Sequence, residues 1–283
     1  MLKKLLNDRR FCTAALLFPS LAGVMIFVFI PFADSVRRSF CASGSGKFNG
    51  LKNYSVVFGN EAFRLALKNT VLFTAVCLPV LISVSFIIAY MISRLKHIRL
   101  IRTFMLFPLA VPTAVLVLVW KIMFEDYGYI NGLLTSCGHN NIDFLGSSAS
   151  FGVLAGSYIW KNMGYTVLLW LTGITGVSSS VIEAARIDGA GEAAILRKII
   201  LPELKPCLYT ITLISFLNSF KVFREAYLVA GSYPHESIYL MQHLFNNWFA
   251  NLNLDKMAAA SVVIFAVIFA AISLLQKVWD KEA

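Results

Sequence analysis

Two stretches hold the polar side chains that could handle a solute. Tyr158, Lys161, Asn162 and Tyr165 recur at i, i+3, i+4 and i+7, so a helix sets them in one stripe. A later apolar run holds Ser215, Asn218, Ser219, Lys221, Arg224 and Glu225. Polar groups inside apolar segments are costly and point to function. Aromatic rings and amides suit a sugar, whose hydroxyls need hydrogen-bond partners and whose C–H faces lie on rings. Lys221 and Glu225 stand four apart, which predicts an ion pair near the outer mouth; holding a bundle together is an equal reading for it.

Bond-making chemistry is not legible. Gly44-Ser45-Gly46-Lys47 looks like the end of a phosphate-binding loop, but the first glycine of that motif would fall on Cys41 and its hydroxyl on Phe48. There is no nucleophile elbow and no HExxH. Four histidines and five cysteines are scattered without metal-ligand spacing, and pairing of Cys41 with Cys137 stays open. The expectation is a chain that is not an enzyme and holds neither cofactor nor metal.

The elements that must position these residues are membrane spans. The 283 residues are 58% hydrophobic and 14% charged, with a mean hydropathy of +0.72, as in a polytopic membrane protein. Six apolar stretches, near 12–32, 70–92, 103–124, 151–173, 207–230 and 257–277, are long enough to cross about 30 Å of hydrocarbon. The first, too long for a signal segment, reads as a retained span. Pro79, Pro108 and Pro112 fall inside spans, which neighbouring helices tolerate. Trp120, Trp160, Trp170 and Trp279 sit towards span ends, as interfacial anchors do.

Basic residues set the orientation, and they explain a net charge of +10 better than nucleic acid does. With the N-terminus inside, fourteen face the cytoplasm: Lys3, Lys4, Arg9, Arg10, Arg94, Lys96, Arg99, Arg102, Arg186, Arg197, Lys198, Lys205, Lys277 and Lys281. Six face outwards: Arg37, Arg38, Lys47, Lys52, Arg64 and Lys256. That bias predicts an N-in, C-in chain. The first outer loop, long and basic, reads as structured.

One polar island lies on the cytoplasmic side, from Glu183 to Pro202. Ser180 and Glu183 fit a capping box, and Val181, Ala184 and Ala185 share a face of small side chains. Gly189 predicts a helix stop. A second helix is expected over 192–200, and Pro202 suits the start of the next. As physics alone, this is equally an amphipathic connector.

Its spacing resembles something more specific. Glu183-Ala184-Ala185, then Gly189, then Ile199-x-Leu201-Pro202 is similar to the EAA loop of ABC importer permeases. Gly50-Leu51-Lys52-Asn53-Tyr54, Arg102-Thr103 with Phe107-Pro108, Tyr127-Gly128, Ile159-Trp160-Lys161 and Phe220-Lys221-Val222-Phe223 extend the resemblance to sugar-type permeases such as those for maltose or glycerol phosphate. It implies an all-α membrane protein of six transmembrane helices with the type I ABC importer permease (MetI-like) fold. Residues 1–66 would form an N-terminal segment, first span and outer loop. Residues 67–283 would be a five-span core with its coupling loop at 178–206.

The resemblance also implies partners: a second permease subunit, two cytoplasmic ATPase subunits that bind the ATP, and an extracytoplasmic solute-binding protein. Coupling to the ATPase would fall to Glu183, Ala184, Ala185, Asp188, Gly189, Ile199, Leu201 and Pro202, with Glu183 capping its helix. Positions resembling the sugar contacts of the maltose permease fall on Tyr158, Lys161, Asn162, Tyr165, Ser215, Asn218, Ser219 and Val222. Tyr165 and Ser215 keep the family's residue type; the others differ, which implies a different ligand. The implied function is carbohydrate import across the cell membrane by alternating access. The alternatives left open are a permease for a non-sugar solute and an ion-coupled transporter working alone.

Overall fold

The computed structural model describes residues 9–42, 44–95 and 98–282. Among these the regular secondary structure is helical, apart from one isolated bridge between Cys41 and Phe48. In order, α1 (Arg9–Val24) passes through a π-turn (Met25–Phe29) into α2 (Ile30–Ser39), followed by α3 (Lys52–Gly59), α4 (Glu61–Ser93), α5 (Ile98–Ala110), α6 (Thr113–Phe124) and α7 (Tyr129–Ser136). Then come α8 (Ser150–Gly176), α9 (Ser179–Ile187), α10 (Glu192–Ile195) with a π-turn (Leu196–Ile200), and α11 (Leu201–Glu203). Last are α12 (Lys205–Ser219), a 3-10 turn (Phe220–Val222), α13 (Phe223–Ala230), α14 (Met241–Ala250) and α15 (Leu254–Glu282).

Four stretches are unbroken, long and apolar enough to span a bilayer: Leu16–Ser39, Glu61–Ser93, Lys205–Ala230 and Leu254–Trp279. Two bent pairs bring the number to six if each counts as one span. The expected span near 103–124 is sharply bent. Thr103–Ala110 and Thr113–Ser136 meet at 92°, because Pro112 lacks an N–H and holds an extended ψ of 140°.

The chain falls into two compact units, Met1–Glu61 with Asn247–Ala283, and Ala62–Asn246. In the first of them α15 packs along α2 and α3. Within the first unit Phe32 and Phe265 meet with ring centroids 4.6 Å apart. The first outer loop is structured, as its charge suggested. The buried Asn53 amide donates to Ser39 O (3.0 Å) and Cys41 O (2.8 Å), and Tyr54 Oη lies 2.7 Å from Ser39 Oγ. The asparagine and tyrosine of the GLxNY segment therefore fasten that loop. Cys41, Cys77, Cys137 and Cys207 are free thiols.

The second unit has two apolar clusters. One joins Phe73, Leu81, Leu154, Tyr158 and Val222; the other joins Ala89, Trp170, Leu171, Ile195, Ile200, Leu204 and Ile211. Trp170 is thus no interfacial anchor. It is 3% exposed and donates from Nε1 to Ile82 O at 3.2 Å. A glycine brings α5 and α8 together: a Cβ on Gly164 would lie 1.6 Å from Met105 O.

Outer segments of this unit are tied by amides. Asn69 donates to Glu236 O (2.5 Å) and Tyr239 O (3.1 Å), and Thr70 Oγ1 accepts from Met241 N (3.1 Å). Asn131 exchanges bonds with the backbone of Ile142 at 2.9 Å each way. His243, fully buried, accepts from Leu240 N through Nδ1 at 3.1 Å. Burial pushes its pKa down to about 4, because desolvation disfavours the imidazolium.

Candidate functional site

The predicted stripe forms on α8 and faces α12 and α13. Tyr158 Oη donates to Ser215 O (2.7 Å), and Tyr165 Oη lies 3.3 Å from Ser215 Oγ. The Asn218 amide nitrogen donates to Tyr165 Oη (3.1 Å) and Asn162 Oδ1 (3.4 Å). Asn162 spends its own N–H on Tyr158 O (2.8 Å). A cavity of about 200 Å³ opens here, lined by Leu109, Tyr158, Lys161, Asn162, Asn218, Lys221, Val222 and Glu225. Five of the eight residues expected to meet solute line it: Tyr158, Lys161, Asn162, Asn218 and Val222.

Tyr165, Ser215 and Ser219 are not among its walls. Tyr165 and Ser215 brace the helices behind it. Ser219, 4% exposed, bonds to Phe216 O (2.7 Å) and faces Thr74 Oγ1 on α4 (3.3 Å).

The expected Lys221–Glu225 ion pair does not form. Glu225 Oε1 instead receives Lys161 Nζ at 2.5 Å, with side chains 7% and 24% exposed. Lys161 also donates to Thr113 Oγ1 at 3.1 Å. Lys221 donates to Asn218 Oδ1 at 2.9 Å. The physical reason is the 3-10 turn Phe220–Val222. It tightens the winding between the two residues, so the i, i+4 neighbour relation of an α-helix is lost. Thr113 was missed as a site residue; it lies one position past the Pro112 break, the sole signal available for it.

Glu225 also walls a second, smaller cavity of about 20 Å³ with Trp120, Ser150 and Ser157. Trp120 Nε1, Ser157 Oγ and Glu225 Oε2 are buried with no hydrogen-bond partner among the described residues. Among those residues there is also no cluster of histidine, cysteine and carboxylate side chains fit for a metal ion.

The polar island folds as a helix, a turn and a second helix. α9 stops at Ile187, and Gly189 follows at φ +83°, which favours glycine. One expectation fails. The capping box between Ser180 and Glu183 is absent, because α9 begins at Ser179 with Ser178 as its N-cap. Glu183 therefore sits in the second turn, out of reach of the cap N–H, and is exposed. Ser178 Oγ and Ser180 Oγ bond to each other instead, at 2.8 Å. Pro202 stands at the start of the next helix, the single turn α11, as expected, and Pro206 stands likewise at the start of the fifth-span helix.

The small face divides in two. Ala185 packs inwards with Ile182 against the second apolar cluster. Val181, Glu183, Ala184, Ile187, Asp188 and Gly189 are exposed, Ile187 at 87%. Ile199 packs inwards, while Leu201 and Pro202 are exposed. The second half of the island is held by Glu192, which sequence reasoning passed over. Its carboxylate pairs with Arg94 at the end of α4 (2.6 Å) and with Arg186 on α9 (3.0 Å). The hydrogen bond from Arg94, with that from Arg186, holds the Glu192 carboxyl below the usual carboxylate range. Arg94 also meets Tyr90 through its Oη and its ring face.

Residues 82–282 match the family described as the binding-protein-dependent transport system inner membrane component. The chain belongs to that family. As an inner membrane component, it is a transport protein and not an enzyme. It is 27% identical over 263 residues to the sn-glycerol-3-phosphate transport system permease protein UgpA of Agrobacterium fabrum, covering 90% of each chain. It is 28% identical over 262 residues to the trehalose/maltose transport system permease protein MalF of Thermococcus litoralis, covering 89% of this chain and 88% of that one. Its fold is similar to a chain of a bacterial ABC transporter involved in the import of the acidic polysaccharide alginate. There the TM-score is 0.84 at 19% identity, over 97% of this chain and 96% of the other. This inner membrane component thus has the α-helical permease fold that its six apolar stretches and polar island predicted.

Proposed function

We propose that this chain is one permease half of a binding-protein-dependent ABC importer that carries a saccharide or polyol derivative across the cell membrane. The observation that carries the reading is the cavity of about 200 Å³ lined by Tyr158, Lys161, Asn162, Asn218 and Lys221 in a chain of this transport family. Relatives named for glycerol phosphate and for trehalose and maltose support the solute class. A second permease completes the path, two ATPase subunits drive it, and an extracytoplasmic binding protein delivers the solute. The exposed residues Glu183, Ala184, Asp188, Gly189, Leu201 and Pro202 meet the ATPase, with Ala185 and Ile199 seating the loop from within. Tyr158, Lys161, Asn162, Asn218 and Val222 line the solute's path, and Tyr165, Ser215 and Ser219 brace it. Residues 67–283 act as the translocating core.

The test is reconstitution of the complete importer in proteoliposomes with a panel of labelled saccharides. Uptake is expected to need ATP, the binding protein and both ATPase subunits. Gly189→Pro and Glu183→Lys are expected to lose ATPase co-purification together with uptake. Uptake by this chain alone, without any ATPase, would overturn the reading in favour of an ion-coupled transporter.

A further inference from the structure

Three charged side chains line the larger cavity, and they do not cancel. Lys161 and Glu225 neutralise one another at 2.5 Å. Lys221 remains. Among the described residues it meets no carboxylate within ion-pair distance. Its hydrogen bond goes to a neutral acceptor, Asn218 Oδ1. That amide cannot turn round, because its nitrogen is engaged with Tyr165 Oη and Asn162 Oδ1. An ammonium donates three bonds, so two N–H groups of Lys221 are open to the cavity. Leu109, Tyr158, Asn162 and Val222 also line the cavity, and the Lys221 side chain is exposed. A lone cation inside a membrane span is costly and marks a solute path.

We propose that the solute is an acidic saccharide or polyol, bearing a carboxylate or a phosphate, and that Lys221 receives this anionic group during translocation. This rests on the carbohydrate reading above. Lys161 does not compete for the anion while Glu225 holds it, so specificity for charge falls on Lys221.

The experiment measures uptake by the complete reconstituted importer of matched labelled pairs. These are a hexuronate and its oligomers against the neutral hexose and its oligomers, and glycerol phosphate against glycerol. The acidic member of a pair is expected to be carried in preference, and which one distinguishes carboxylate from phosphate. Lys221→Met should cut that uptake roughly tenfold or more, the scale of one lost charge-assisted bond, while Lys221→Arg keeps most of it. Co-purification of Lys221→Met with the second permease and both ATPase subunits shows that the variant assembles. Transport of neutral members only, or acidic uptake unaltered by Lys221→Met, overturns the proposal and leaves the carbohydrate reading standing. Transport of no saccharide or polyol of either kind, by an importer whose ATP hydrolysis responds to its binding protein, overturns the carbohydrate reading and this inference with it.

Discussion

The Lys161–Glu225 pair is the most consequential contact made by single side chains. Breaking a buried pair from one side leaves an uncompensated charge, at a cost of about 3–5 kcal/mol. Lys161→Met is therefore expected to lower unfolding stability in detergent by that order, and Lys161→Met with Glu225→Met to recover most of it in a double-mutant cycle. A second expectation concerns His243. Its pKa falls from about 6.5 unfolded to about 4 folded. Its contribution is complete above pH ~6.5 and is lost as the medium acidifies towards pH ~4, since the unfolded chain then binds the proton first. About 2 kcal/mol should disappear between about pH 7 and about pH 5. Thermal midpoints across that range should fall less steeply in His243→Asn. Neither contact was legible in the sequence. The partner of Glu225 lies 64 positions away, and nothing local announces that His243 is enclosed.

Among the elements, α8 was the most legible. Its stripe periodicity placed Tyr158, Lys161 and Asn162 on the cavity, and its expected limits differ little from Ser150–Gly176. The fifth span was less so. Its 3-10 turn has no compositional mark, and that turn decides which lysine meets Glu225. The break in the third span was marked, since Pro112 stood in plain view, but a proline alone does not say whether a helix kinks or turns. Close packing of α8 on α5 is set at Gly164. Gly164→Ala should cost about 3 kcal/mol or more, the upper range for overpacking, read as a lowered thermal midpoint. Gly152→Ala and Gly156→Ala, where a side chain meets nothing within 4 Å, should be neutral or gain up to about 1 kcal/mol of helix propensity.

Across the whole molecule, hydrophobic runs and charge bias made the architecture readable, because a bilayer enforces helices and penalises misplaced lysine and arginine. The same rules give an orientation that can be measured. A cysteine at Ile187, 87% exposed, should react with an impermeant maleimide only in inside-out vesicles. One at Tyr233, 74% exposed, should react only from the outside. The reverse pattern would refute the N-in arrangement. The glycine seam between α5 and α8 bears on how such a machine moves. Two rods touching backbone to backbone have no cushion to slide on, so they swing as a single lever. Any stroke that tilts the tyrosine-and-asparagine stripe must drag Met105 and its helix along, as far as the Pro112 elbow, where the lever is free to flex.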